Sequence, residues 1–259
     1  MSKRALITGA SSGIGREFAV QLAGRGYRIT GVARRKDLLD ALMAELPGEE
    51  HDYLVADLSS PEGVSQVSDA IGACHFNLLI NNAGYSVLQP FYESPLQVQQ
   101  DILSVSCATL LHLSHSFLRQ SETGDALINV GSIVSFLPTP AQPVYSASKA
   151  FIAAFSECLW EEHRQRGVYV MALCPGLTKT DFITTATGGD SDGQNLPEIM
   201  SQSVSQVVSE ALTALDKRHK PVIVTGWINR VMVALMPRFM SRFRLLKVLA
   251  VMGDPEKQL

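Results

Sequence analysis

The chain has 259 residues, and 22 Lys and Arg against 25 Asp and Glu give it a formal net charge of −3. This length favours a single α/β domain whose core is large enough to need no metal or disulfide. The near-neutral charge gives no indication of a nucleic-acid partner. The four cysteines, which lack a C-x-x-C pair, suit buried thiols in a reducing compartment.

The sequence enters an apolar strand within a few residues of Met1, without the architecture of a signal peptide. It has no uninterrupted apolar run of about 18 residues, so a membrane span is not expected. The six histidines show no metal-ligand spacing, and no metal site is expected. These features together predict a cytoplasmic protein.

Seven short apolar runs alternate with segments that have helical patterns. Because the runs are continuously apolar, they predict strands buried on both faces of a parallel sheet covered by helices. We therefore expect one doubly wound α/β domain with a seven-stranded, mostly parallel sheet and helices on both faces. The predicted strands are residues 5–8, 28–32, 53–56, 78–81, 126–130, 169–174 and 222–225.

A glycine-rich turn joins the first strand to the first helix, with the sequence TGASSGIG at residues 8–15. Glycines at three positions allow a tight turn and close backbone approach, and the helix N-terminus behind them favours a pyrophosphate. A helix-entry turn without a ligand is the alternative, but the strand–turn–helix context favours a nucleotide site. The residues assigned to cofactor binding here are Gly9, Ser11, Ser12, Gly13, Ile14 and Gly15.

The second strand is followed by Arg34 and Arg35, where dinucleotide-binding folds that prefer NAD(H) carry an acidic residue. A guanidinium group matches the oxygens of a 2′-phosphate. The pair therefore predicts NADP(H) as the cofactor, although two solvated surface arginines would give the same sequence.

Polar and small residues follow the third and fourth strands, where a cofactor would pass close to the backbone. Asp57, followed by Leu58, is positioned to accept from an adenine amino group. The segment after the fourth strand supplies Asn81, Ala83 and Gly84. Taken alone, each of these is only a capping or turn residue.

The ordered set of motifs resembles the short-chain dehydrogenase/reductase family, in its form of about 250 residues. The set comprises TGASSGIG, NNAG at residues 81–84, Ser132, YSASK at residues 145–149, and Pro175 with Gly176. The resemblance extends from Ala5 to about Val224 and implies a Rossmann-type fold. It also implies an NADP(H)-dependent oxidoreductase that interconverts carbonyl and alcohol groups.

The resemblance implies catalytic roles for three residues. Tyr145 would be the general acid for reduction, Lys149 would hold the nicotinamide ribose and a positive charge near the phenol, and Ser132 would polarise the carbonyl. Tyr145 and Lys149 are four residues apart, so they share one face of a predicted helix. A nearby ammonium and an oxidised nicotinamide both favour the phenolate, so together they are expected to lower the pKa of Tyr145.

One position departs from the family pattern. The family usually has an asparagine on the helix after NNAG, and by register this position falls on Ser106. Serine is shorter and offers one donor instead of an amide. Ser106 is therefore included among the candidate catalytic residues, and the departure leaves open a catalytically weak NADP(H)-binding regulatory protein as the alternative function.

The segment after the sixth strand resembles the family segment that contacts the nicotinamide carboxamide. This assigns Pro175, Gly176, Thr178 and Thr180 to the cofactor. The polar, glycine-rich residues 184–195 follow it, and they are predicted to form an exposed loop or a lid over the substrate.

Residues 227–252 carry large apolar side chains and five cations with no acid. We predict that residues 1–226 form the catalytic part and that 227–259 form a C-terminal amphipathic extension of the same domain, which Pro237 divides into two helices. These helices would cover the sheet edge, form an apolar wall or dimer contact, or rest on an anionic membrane. The resemblance suggests a homodimer or homotetramer built on helices near residues 96–117 and 145–166, and the substrate is expected to be small and apolar.

Overall fold

A computed structural model describes residues 2–140, 142–178 and 201–252. The expected lid at residues 184–195 and the cofactor candidate Thr180 lie outside the described residues. The strands are β1 (Arg4–Thr8), β2 (Arg28–Ala33), β3 (Asp52–Val55), β4 (Leu78–Asn81), β5 (Ala126–Val130), β6 (Tyr169–Cys174), β7 (Leu177–Thr178), β8 (Ser201–Gln202) and β9 (Val222–Val224). The helices are α1 (Gly13–Gly24), α2 (Lys36–Glu45), α3 (Pro61–Ala73), α4 (Leu96–Leu103), α5 (Leu110–Gln120), α6 (Pro143–His163), α7 (Val204–Lys217), α8 (Trp227–Phe239) and α9 (Arg242–Met252).

Seven strands form one parallel sheet in the order β3-β2-β1-β4-β5-β6-β9. The chain direction across the sheet reverses between β1 and β4, which are neighbours although β2 and β3 separate them in sequence. In open α/β sheets, ligands bind in the crevice at the carboxyl ends of the strands at such a switch point. The doubly wound fold predicted from the sequence is confirmed, and the switch point directs attention to the loops after β1 and β4.

Alternate residues of the strands contribute their side chains to two separate apolar layers, one on each face of the sheet. Ala5 and Ile7 of β1 point to a cluster with α1, α2 and α7, whereas Leu6 points to a cluster with α3 and α5. Burial of this kind on both faces is the reason that the strands read as continuous apolar runs. The sheet is thereby held rigidly between two helical layers, and its loops are free to carry the site.

The helix after the fourth strand is continuous but not uniform. A π-helical segment, Ser104–Thr109, joins α4 to α5. Single π-helical turns inside α-helices are rare and occur frequently at functional sites. The segment buries Ser106, the residue that departs from the family pattern.

The C-terminal residues form two helices, as predicted, but the break between the helices does not fall at Pro237. Pro237 lies inside α8, which ends at Phe239, and the extended residue Met240 makes the break. The proline removes one hydrogen bond close to the helix end, so the helix continues for less than one further turn. In the ranges that the structure describes, none of the helices combines the length and apolarity needed to cross a membrane.

Candidate active site

The loop after β1 is built on glycines that have no room for a side chain. Gly9 has a φ of +67°, and a Cβ there would lie 2.8 Å from the Asn82 amide nitrogen. A Cβ on Gly15 would overlap the carbonyl oxygen of Gly9. The backbone of the loop is therefore packed closely against the start of α1, which leaves its outer side open to a phosphate group.

Asn82, which sequence reasoning did not select, ties this loop to the end of β4. Its side-chain amide donates to the carbonyl oxygens of Thr8 at 2.9 Å and Gly9 at 3.3 Å. In return, the backbone N–H groups of Asn82 and Ala83 donate to the Thr8 hydroxyl. These bonds fix the two loops at the switch point relative to each other. Asn82 is part of the NNAG motif, but the motif alone does not show which carbonyl groups its side chain contacts.

The two arginines after β2 point to different neighbours. Arg35 donates to the hydroxyls of Ser11 and Ser12, both at 3.1 Å, so its guanidinium group lies over the glycine-rich loop. Arg34 is exposed and close enough to Asp57 to contribute to the lowered pKa of that carboxyl. Arg35 therefore lies beside the glycine-rich loop, and Arg34 lies beside the residue that follows β3.

Asp57 and Asn81 are engaged within the protein. Asp57 accepts from the backbone N–H and hydroxyl of Ser59, and these bonds lower the pKa of Asp57 more than Arg34 does. The buried Asn81 amide donates to Ser114 and Asn129. The Asp57 side chain therefore organises the loop after β3, and the Asn81 side chain connects the end of β4 to α5 and β5. The backbone of Leu58 has a similar structural role, because its carbonyl accepts from Thr109.

Ser132, Tyr145 and Lys149 meet at the carboxyl end of β5. Ser132 caps the short helical turn Ile133–Ser135, and its hydroxyl is a hydrogen-bond partner of the Tyr145 phenol. The Lys149 ammonium lies 5.4 Å from the centroid of the Tyr145 ring and donates to the Val130 carbonyl at 2.8 Å. Tyr145 and Lys149 share one face of the first turns of α6, as their spacing predicts.

Burial dominates the electrostatics of this group. It raises the pKa of Tyr145 to about 12, against a smaller lowering by the hydrogen bond to Ser132. It lowers the pKa of Lys149 to about 8. Desolvation therefore sets the direction of this shift, and the expected lowering by the ammonium together with an oxidised nicotinamide stays a prediction. The phenol is held in its protonated form, ready to donate.

Ser106 lies beside these residues, as the register of the sequence predicts. Its hydroxyl and the Lys149 ammonium nitrogen are each 3.7 Å from the position that a Cβ on Gly84 would take. The residue is 1% exposed, and its hydroxyl has no hydrogen-bond partner among the residues that the structure describes. A buried hydroxyl of this kind is unusual in folded proteins.

The segment after β6 borders the same group. The Pro175 carbonyl accepts from the backbone of Ile133, and the Ser132 hydroxyl lies 3.5 Å from it. Gly176 packs so closely on Asn229 of α8 that a Cβ would overlap the amide. Thr178 is buried and donates to the Gly176 carbonyl at 3.1 Å. Asn229 is a second residue that sequence reasoning missed, since its contact is made only in the folded chain.

A family model described as short chain dehydrogenase matches residues 3–191 of the chain. The chain belongs to the short-chain dehydrogenase family. This match spans the glycine-rich loop, the serine, the tyrosine and the lysine, so the resemblance read from the motifs is confirmed.

Two curated relatives and one solved structure illustrate the similarity. A very-long-chain 3-oxoacyl-CoA reductase of Laccaria bicolor is 34% identical over 182 residues, 65% of this chain and 53% of the relative. Serine 3-dehydrogenase of Rhizobium radiobacter is 31% identical over 199 residues, 75% of this chain and 80% of the relative. A short-chain dehydrogenase of Sphingobium yanoikuyae in complex with NADPH shares 30% identity and a TM-score of 0.81, covering 93% of this chain and 99% of that one.

The curated relatives in the 3-oxoacyl-CoA reductase group are longer than the region shared with this short-chain dehydrogenase. The chain spans about half of their length, 53–59% for those from Laccaria bicolor, Pyrenophora tritici-repentis and Homo sapiens. This similarity alone therefore does not assign the substrates of these relatives to this chain.

Proposed function

We propose that this chain is an NADP(H)-dependent oxidoreductase that interconverts a carbonyl and an alcohol on a small, largely apolar substrate. The observation that carries the proposal is the buried contact group of Ser132, Tyr145 and Lys149 at the carboxyl edge of the sheet. Each of these side chains alone would be ordinary. Their convergence beside a phosphate-type glycine loop is what general acid catalysis of hydride transfer requires.

The residues present fit NADP(H). The glycine-rich loop turns so tightly that a Cβ on Gly15 would overlap the Gly9 carbonyl oxygen, and Arg35 brings a guanidinium group to the serines of the loop. Arg34 adds a second positive charge for a 2′-phosphate. The Sphingobium yanoikuyae relative was solved in complex with NADPH, which supports the same cofactor here. When bound, NADPH would supply the hydride.

Residues of the chain itself would donate the proton and polarise the carbonyl. Tyr145 is protonated at neutral pH because burial raises its pKa, so it can give its proton to the carbonyl oxygen and become a phenolate. Ser132 would donate to the same oxygen and polarise it. Lys149, charged below about pH 8, would stabilise the phenolate that remains. In the oxidation direction the same phenolate would take the proton from the alcohol.

The surroundings support an apolar substrate. The loop after β4 exposes Leu88 and Phe91, and the half-buried Phe136 follows the Ser132 turn. Pockets that bind small molecules are mostly apolar with a few directed polar groups. The polar groups would here be Ser132 and Tyr145.

We also propose a homodimer formed through the outer face of α4 and α6. This face, which continues onto the start of α5 at Leu111, exposes Leu96 and Leu103 of α4. On α6 it presents the stacked rings of Phe151 and Phe155, whose centroids are 5.4 Å apart. Contiguous exposed apolar surface of this kind is typical of protein interfaces. Sedimentation of the Leu111→Glu variant as a monomer, beside a dimeric parent, would support this assignment, and a monomeric parent would overturn it.

The function is tested by following NADPH absorbance with a panel of aldehydes, alicyclic ketones, steroids and 3-oxoacyl compounds. Turnover of at least one member, with much slower turnover of NADH, is the expected result. NADPH binding without oxidation by any member would favour the regulatory alternative, which the serine at position 106 keeps open. Absence of both binding and turnover would overturn the proposal.

A further inference from the structure

The outer side of α8 carries an exposed apolar ridge. Its four members on α8 are spaced four residues apart, so they lie along one side of that helix, and Phe243 extends the ridge onto the start of α9. Trp227 is 67% exposed, Phe239 is 82% exposed, and Phe243 at the start of α9 is 66% exposed. The ridge consists of Trp227, Val231, Leu235, Phe239 and Phe243.

This ridge is not the surface that attaches the helices to the protein. The inner side of α8 supplies Met232, Val233 and Met236 to a separate apolar cluster. Leu245 and Leu249 of α9 complete that cluster over Leu137. The helices are therefore already anchored through their inner sides, and the ridge is apolar surface in excess of what the fold buries.

Positive charge accompanies the ridge. Residues 227–252 contain five cations and no acid, in a chain whose net charge is −3. Arg230 pairs with Glu210 at 3.0 Å. The other four, for which the described part of the chain shows no ion pair, are Arg238, Arg242, Arg244 and Lys247. Lys247 lies 4.6 Å from the Phe243 ring centroid, so charge and apolar surface are interleaved.

We propose that the ridge of α8 and the start of α9 dock on an anionic lipid surface, with the helices lying in the plane of the interface. Exposed Trp and Phe side chains insert at the boundary between headgroups and acyl chains, while Arg and Lys remain among the anionic headgroups. Each cation near such a surface contributes about a fivefold gain in partitioning. This binding is independent of the proposed oxidoreductase activity.

The charge pattern favours a lipid surface over a second copy of the chain. In a two-fold symmetric contact the same patch faces itself, and the four unpaired cations would meet their own copies. Like charges at a desolvated contact oppose association. An anionic bilayer satisfies both the cations and the apolar side chains.

The test is co-sedimentation of the full chain with vesicles of phosphatidylcholine, with and without phosphatidylserine. The charge variant combines Arg238→Gln, Arg242→Gln, Arg244→Gln and Lys247→Gln. The apolar variant combines Leu235→Gln, Phe239→Gln and Phe243→Gln. The matched control removes four exposed cations elsewhere, through Arg119→Gln, Arg164→Gln, Lys217→Gln and Lys220→Gln.

We expect the parent and the control to sediment with phosphatidylserine vesicles, and both ridge variants to lose binding by more than about tenfold. A parent that stays in the supernatant, or a control that loses as much binding as the charge variant, would overturn the proposal. Trp227 gives a readout that needs no variant, because its fluorescence should shift to the blue with these vesicles and the shift should decrease with salt. An unchanged spectrum, or association of the parent with itself through the ridge, would also overturn it.

Discussion

The Lys149 ammonium lies 5.4 Å from the centroid of the Tyr145 ring while it donates to the Val130 carbonyl. Both side chains are almost fully buried, with Lys149 5% exposed. Within the described ranges, Lys149 forms no ion pair with a carboxylate and donates to the Val130 carbonyl. The arrangement sacrifices stability for a charge placed beside a proton donor, which is a common feature of active sites.

Replacing Lys149 should therefore stabilise the fold. Its pKa is about 8 in the folded protein and 10.5 as a free side chain, so below about pH 8 burial of the ammonium carries its full penalty. Between the two values the unfolded chain binds more protons, and stability rises with pH. Lys149→Met should raise the free energy of unfolding by about 2 kcal/mol near neutral pH, allowing for the lost bond to Val130. Denaturant unfolding at several pH values measures this.

The gain should shrink as the pH approaches 10.5, because the parent then loses its penalty. Lys217→Met, a substitution of an exposed lysine on α7, is the control and should change stability little at any pH. A Lys149→Met variant that is less stable than the parent at neutral pH would show that the ammonium is paired more strongly than this structure indicates.

Gly15→Ala should disrupt the cofactor loop. The added Cβ would overlap the Gly9 carbonyl oxygen, so the loop must shift. We expect NADPH binding to weaken by more than about tenfold and stability to fall by about 1–3 kcal/mol. Gly24→Ala, at the end of the same helix with open space around it, is the matched control. It should leave binding unchanged and be neutral or stabilising by up to about 1 kcal/mol. Equal effects of the two variants on binding would contradict the assignment of the loop.

Arg35→Asp should change the cofactor preference. The guanidinium group at the hydroxyls of Ser11 and Ser12 would be replaced by a carboxylate that repels a 2′-phosphate. We expect the ratio of kcat/KM for NADPH to that for NADH to fall by about tenfold or more. Arg119→Asp, on the exposed side of α5, should leave the ratio unchanged. A preference that survives in Arg35→Asp and in Arg34→Asp would mean that both arginines are surface residues only.

Ser106→Ala separates function from stability. Because the described part of the chain offers the Ser106 hydroxyl no hydrogen-bond partner, its removal should leave the free energy of unfolding unchanged within about 0.5 kcal/mol or raise it. Turnover should fall by about tenfold if the hydroxyl holds a water on the proton route to Lys149. Ser104→Ala, in the same π-helical segment, should change neither quantity. If Ser106→Ala turns over like the parent, the hydroxyl has no part in proton transfer.

The fold was predictable from the sequence because burial on both faces leaves a strong local pattern. Strands 78–81, 126–130 and 169–174 were predicted with their observed bounds, since they lie in the centre of the sheet. The edge strand β3 begins and ends one residue earlier than predicted. Its residues are partly exposed, so apolarity marks its ends poorly.

The site was predictable only in part, because side-chain direction depends on the folded neighbours. The spacing of Tyr145 and Lys149 fixed their shared face on α6. The inward turn of Asn81, by contrast, depends on Ser114 and Asn129, and the contact of Asn229 with Gly176 depends on the packing of α8. The pKa of Tyr145 could not be obtained from spacing, because desolvation is set by the whole enclosure.

Single-turnover oxidation of NADPH by the Tyr145→Phe variant, with a carbonyl substrate found for the parent, tests the central claim most directly. The variant should bind NADPH as tightly as the parent and oxidise it at least about a hundredfold more slowly, since it lacks the proton donor. Oxidation at a rate close to that of the parent would contradict the role given to the phenol.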